Sequence, residues 1–246
     1  ITFLQECEMT QAIRKHGPID LLVTPAQNKE GWHKMKDRTA SAHGQFNLGF
    51  STYRTTSTDP SLNRIDALLR NIPVKNGIIP EYWKNITDCM ILKRSGIHTI
   101  NKMRTIQLMD PEYNNINKLA GKRIMEVAEK NNLLAKDQYG SRKQHKSSNC
   151  CLNKVCLMDI LRQKKHAGAI SMNDLKGCYD RVVHTVAILV LLAFGLNYTT
   201  AKLMMEVLQV AEHSIKTGFG VSQPAYGGRE EAVSYTHLRA HETHDD

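Results

Sequence analysis

The residues best suited to chemistry lie in the stretch Ala167-Gly-Ala-Ile-Ser-Met-Asn-Asp-Leu-Lys-Gly-Cys-Tyr-Asp-Arg-Val-Val-His184. Small and apolar residues lead up to Asp174, a short turn containing Gly177 follows, and from Val182 to Phe194 the apolar spacing is helical, closed by Gly195. This pattern predicts a strand ending at Asp174 and then a helix. A carboxylate at a strand end is held by sheet backbone while it faces an open cleft, the arrangement that two-metal phosphoryl chemistry requires. The plainer alternative at this level is that Asp174 and Asp180 cap a turn and a helix.

Two basic runs, Arg142-Lys-Gln-His-Lys146 and Arg162-Gln-Lys-Lys-His166, offer phosphate contacts or simply a solvated face. Cys150, Cys151 and Cys156, with His145 or His166, contain zinc-type ligands. Their spacing matches no closed four-ligand pattern, and Cys151 and Cys156 sit among apolar helix positions, which predicts buried cysteines.

The chain around these residues has 246 residues, with 33 Lys and Arg against 24 Asp and Glu, a formal charge of +9. At 41% hydrophobic and 23% charged it is too apolar for a disordered tail and too mixed for a fibre. The positive balance favours a polyanionic partner. Its longest apolar run, Val186 to Leu196, falls short of the roughly 18 residues that a membrane span needs. Six cysteines without small-scaffold spacing point to a reducing, intracellular compartment, with nucleus and cytoplasm both open.

The elements that must position these groups are partly legible. Residues 1–60 are polar, with only short helical patterns such as Phe3 to Lys15, and are expected to form a loosely packed N-terminal extension. Leu62, Ile65, Leu68 and Leu69 recur at helical spacing, predicting a helix from Leu62 to Asn71 that ends before Pro73. Ile86 to Leu92 and Met103 to Met109 read as strands joined by a turn around Gly96. Asp110-Pro111-Glu112 is a helix start, with an acidic N-cap, a proline at the first helical position and an acid in the first turn. Ile116, Leu119, Ala120, Ile124, Val127 and Ala128 then make one apolar stripe, and a further helix is expected from Asn149 to Lys165. The stretch from Ala232 to Asp246 resembles a translated sequencing adapter and is set aside as a scar, leaving a natural fragment; the competing reading is a His-rich tail.

Taken together, these segments carry a family resemblance. Asp174-Leu-Lys-Gly-Cys-Tyr-Asp-Arg-Val-Val-His184 resembles the first catalytic palm motif of reverse transcriptases, the Asp-x-x-x-x-aromatic-Asp pattern of non-LTR retrotransposons and group II intron proteins. Gly77-Ile-Ile-Pro-Glu-Tyr-Trp83 and Met90-Ile-Leu-Lys-Arg-Ser-Gly96 resemble the opening of the family's fingers. Met103-Arg-Thr-Ile-Gln-Leu108 is similar to its Arg-containing strand, and Asp137-Gln-Tyr-Gly-Ser-Arg142 to its Gln-aromatic-Gly element. Thr217-Gly-Phe-Gly220 and Tyr226-Gly-Gly228 resemble the segment after the palm helix in one branch of retroelement polymerases. Several elements in the right order make the resemblance specific.

The resemblance implies an α+β fold, the fingers (residues 61–166) and partial palm (167–231) of a right-hand RNA-directed DNA polymerase. It implies that Asp174 binds Mg²⁺ with the Leu175 carbonyl as a further ligand, and that Lys93 and Arg104 clamp the β- and γ-phosphates of a dNTP. Tyr179 falls where the family places the aromatic under the incoming sugar, a structural tyrosine being the alternative, while Asp180 supports the turn. Arg142, Lys143 and Lys146 would contact the RNA template or DNA primer. The family's second palm motif and its aromatic-x-Asp-Asp turn do not occur before the adapter-like stretch, so the fragment by itself is expected to be inactive. The rival reading is a non-catalytic RNA-binding protein or a decayed element copy.

Overall fold

The computed structural model describes residues 17–36, 39–42, 48–93, 95–96, 103–171, 173, 182–217, 220–224 and 226–227. Its elements mix helix and sheet. In chain order they are α1 (Pro25–His33), α2 (Phe50–Thr56), α3 (Pro60–Asn76), a short 3₁₀ turn (Glu81–Trp83), β1 (Asn85–Leu92), β2 (Met103–Leu108), α4 (Pro111–Lys130), α5 (Ser147–Gln163), α6 (His184–Ala193), α7 (Tyr198–Val210), β3 (Glu212–Thr217), β4 (Gly220–Val221) and β5 (Tyr226–Gly227).

The sheet runs β2-β1-β3-β4, with β5 also on β3. β1 pairs antiparallel with β2, Thr87 opposite Leu108 and Ile91 opposite Arg104. It pairs parallel with β3, Ile86 opposite His213. Parallel pairing demands a long crossover, and here α4 to α7 supply it. Local chemistry accounts for the helix ends. Asp110 accepts from Glu112 N at 2.8 Å to start α4, and Asn197 accepts from Thr199 N at 2.9 Å to start α7. Gly195, with φ +91°, turns the chain after α6.

One core joins these elements. From α4 it takes Ile116, Ala120 and Ile124, from α7 Ala201, Leu203 and Val207, and from the sheet and its approach Trp83 and Ile86. Each large apolar side chain so buried contributes about 1.5–3 kcal/mol. Ala128 is also buried, and Leu119 and Val127 are half-buried, so the stripe predicted for α4 faces inward.

Several expectations need correction. The N-terminal third is not loosely packed over its described residues: Ile19, Leu21 and Val23 are buried, Trp32 is fully buried, and Phe50, the first residue of α2, is buried. Their alternation in a short extended run, Asp20 being exposed, puts every second side chain into the core, a signal that average polarity hides. Ile19 also bridges Leu196. The Phe3–Lys15 pattern lies outside the described residues.

Helix α3 does not stop before Pro73 but runs through it to Asn76, where Gly77, at φ +65°, donates its N–H to Pro73 O. Proline removes only one backbone donor, and Pro73 and Val74 are buried on the inner face of that last turn. The stretch 167–171 and residue 173, expected to form a strand, is irregular and exposed. Both edges of β1 are taken by β2 and β3, so this segment has no ladder there. In α5 no residue is buried, and Cys151 and Cys156 are exposed rather than core cysteines. Helical spacing tells which positions share a face, not whether a neighbour covers it. No helix among the described residues is long and apolar enough to cross a membrane.

Candidate functional site

The β1–β2 hairpin presents two of the basic residues singled out from the sequence. Arg104 sits opposite Ile91 in the antiparallel register and is exposed. Lys93 follows β1 by one residue and is also exposed, at the loop end of the hairpin, where Arg104 is the second residue of β2. The antiparallel hairpin thus carries both cations at its loop end.

The other end of this hairpin is fixed by a buried polar pair. His213 on β3 and Asp88 on β1 approach to 3.1 Å (Nδ1 to Oδ2), with 4% and 1% of their surfaces exposed. Gln107, the partner of Asp88 across β2, is buried beside them. A hydrogen-bonded buried pair of this kind ties the strand entering the hairpin to the strand returning from α7.

Asp174, Leu175, Tyr179 and Asp180 lie outside the described residues, so only their flanks can be given. Asn173 is exposed on one side. On the other, His184 is buried at the start of α6, and desolvation holds its pKa below the usual imidazole value. Among the described residues no group of three or more His, Cys, Asp or Glu is placed to hold a metal.

Arg142 is engaged within the fold. Its Nε donates to Glu129 Oε1 and its Nη2 to Glu129 Oε2, each at 2.8 Å, while Nη1 donates to Ala135 O and Gln138 O at 2.9 and 3.3 Å. This fork staples the loop after α4 to that helix. The hydrogen bond from Arg142 lowers the pKa of Glu129, and the same contact raises that of Arg142. Lys143 and Lys146, on the same loop, are exposed. Within the loop Tyr139 accepts from Asn153 Nδ2 and its ring lies 5.9 Å from that of His145.

A second concave site was not legible in the sequence, because its walls come from well-separated stretches. It is a cavity of about 380 Å³ whose polar lining includes Asp66, Asp110, Glu112, Tyr53 and Tyr82. Tyr82 O–H donates to Glu112 Oε2 at 2.5 Å. Burial, and then the neighbouring charge of Glu112, push Asp110 up to about 7, and burial raises Glu112 as well. Burial likewise raises both tyrosines.

Residues 91 to 224 match the family described as reverse transcriptase (RNA-dependent DNA polymerase). The matched stretch starts within β1 and includes Lys93, Arg104, Arg142, Asp174 and Tyr179. No curated protein matches the chain.

Proposed function

The chain belongs to the reverse transcriptase (RNA-dependent DNA polymerase) family, whose match covers more than half of its 246 residues, and from that premise we propose that it is the fingers and part of the palm of a retroelement polymerase of the non-LTR or group II intron type. The observation that carries this reading is the sequence Asp174-Leu-Lys-Gly-Cys-Tyr-Asp180 inside the matched stretch, directly before the buried His184 that opens α6. In this reading the Asp174 carboxylate and the Leu175 carbonyl supply oxygen ligands suited to Mg²⁺. Bound Mg²⁺ would lower the pKa of a primer 3′-OH and offset charge on the triphosphate.

The chain's own residues have distinct roles. Lys93 and Arg104, at the exposed end of the hairpin, bind the phosphates of an incoming dNTP, Lys as a point charge and Arg through its planar fork. Tyr179 packs under the sugar and disfavours a 2′-OH. Lys143 and Lys146 hold the backbone of an RNA template or DNA primer. Arg142 serves the same surface by fixing the loop that carries those lysines.

Two metals need more carboxylates than Asp174 alone, so the 246-residue chain binds primer–template without extending it. Primer extension on an RNA template with Mg²⁺ tests the reading. A parent reading frame carried on through the second palm motif and the aromatic-x-Asp-Asp turn extends the primer, and Asp174→Asn abolishes that extension. Extension that survives Asp174→Asn refutes the assignment.

A further inference from the structure

We propose that the outer face of α3 is the interface of a symmetric dimer of this chain. The helix is turned with its apolar stripe outward. Leu62, Ile65, Leu69 and Ile72 are 49%, 52%, 57% and 49% exposed, and Leu68 beside them is 58% exposed. Its inner face is instead Asn63, Ala67, Arg70, Pro73 and Val74. That orientation is locked by polar bonds: Asn28 Nδ2 donates to Asn63 Oδ1 and Asp66 Oδ2 (3.1 and 2.6 Å), and Arg70 Nη1 donates to Asn28 Oδ1 (3.1 Å). The stripe therefore cannot reach this chain's own core without breaking buried hydrogen bonds.

Register and charge say what covers it. Leu62, Ile65, Leu69 and Ile72 follow one another at intervals of three, four and three and form a seam, flanked by Leu68, along one face of the helix. The seam is self-complementary when two copies run antiparallel. With Leu62 set against the partner's Ile72, Ile65 meets the partner's Leu69, and the same register sets Lys75 against the partner's Asp59. Lys75 closes the C-terminal turn of α3 and Asp59 caps its N-terminus, both exposed, so opposite charges meet at both ends. Antiparallel helix dipoles also attract. A two-fold axis uses one patch on both copies, which closes the assembly at two.

The 17-residue helix is about 25 Å long, and Leu48, 41% exposed, widens the patch because it lines the same cavity as Leu62, Ile65 and Leu69. An interface of this size falls at the small end of specific ones, so the dimer forms and dissociates with concentration.

Sedimentation velocity of the full chain over a concentration series is the test. The mass rises from 27.8 kDa toward twice that value, and the double variant Ile65→Glu with Leu69→Glu stays at the monomer mass throughout while keeping the wild-type melting curve. The milder pair Ile65→Ser with Leu69→Ser gives the same loss if the glutamates disturb folding. Lys75→Glu weakens the dimer by about two- to fivefold. For the register, chains carrying Ile65→Cys and chains carrying Leu69→Cys, mixed under mild oxidation, form a disulfide between positions 65 and 69 that neither forms alone. A wild-type chain that is monomeric at every concentration overturns the proposal. So does a dimer that survives both stripe variants, which would place the contact elsewhere, for example on the exposed helix α5, and so does preferential joining of position 65 to position 65.

Discussion

Removing the Asp66 carboxylate should test whether a polar network, rather than apolar packing, holds α3 in its outward-facing orientation. Asp66 Oδ2 accepts from Asn28 Nδ2 at 2.6 Å and from Trp32 Nε1 at 2.7 Å, and both donors belong to fully buried residues. Asp66→Ala leaves the Trp32 N–H without its acceptor and strips Asn28 of one of two. A buried donor left unmade costs about 1–3 kcal/mol. Two affected donors give about 2–6 kcal/mol, with the lower half favoured because Asp66 lines a cavity open to water. That is a large share of the roughly 5–15 kcal/mol that holds a domain folded. At about 2–4 °C per kcal/mol for a chain of this size, the melting midpoint falls by about 5–15 °C. Asp66→Asn keeps an acceptor oxygen and costs about 1 kcal/mol. Urea unfolding followed by tryptophan fluorescence reads both, since Trp32 stacks on Tyr53 with ring centroids 4.6 Å apart and reports the same region. An Asp66→Ala protein as stable as wild type would show that the packing of Ala67 and Val74, not the polar network, orients the helix.

The N-cap of α4 makes stability depend on pH. Asp110 keeps its proton up to about 7 in the folded chain against 3.8 as the ordinary value, so its contribution is present at low pH and is lost as pH rises between those values. Asp110→Asn retains an acceptor for Glu112 N without an ionisation, and its urea midpoint should exceed that of wild type above pH 7 and converge with it near pH 4. Equal midpoints at both ends would exclude the effect. On the basic loop, Arg142→Ala should speed tryptic cleavage at Lys136 and Lys143 while leaving the salt dependence of primer–template binding nearly unchanged, because its guanidinium is held by Glu129. Lys143→Ala and Lys146→Ala should each flatten that salt dependence by about one phosphate contact, as fluorescence anisotropy over a salt series would measure. A larger loss of slope with Arg142→Ala than with either lysine variant would reverse these roles.

Sequence alone was enough for whatever depends on a few neighbouring residues. The start of α4 at Asp110-Pro111-Glu112, the two strands of the hairpin and the glycine after α6 follow from capping, β-propensity and backbone freedom, and they stand where local chemistry puts them. The family was also legible, because its elements are short strings in a fixed order, and the match over residues 91–224 bears that out. Tertiary structure decided everything that needs a second partner. It turned the α3 stripe outward by giving Asn63, Asp66 and Arg70 buried partners in α1 and α4. It engaged Arg142 with Glu129, thirteen residues earlier, where a basic run had suggested a phosphate contact. It left α5 uncovered and gathered Asp66, Asp110 and Glu112 around one cavity. Periodicity specifies which side chains share a face, whereas burial and pairing are properties of what that face meets, and only the folded chain supplies that.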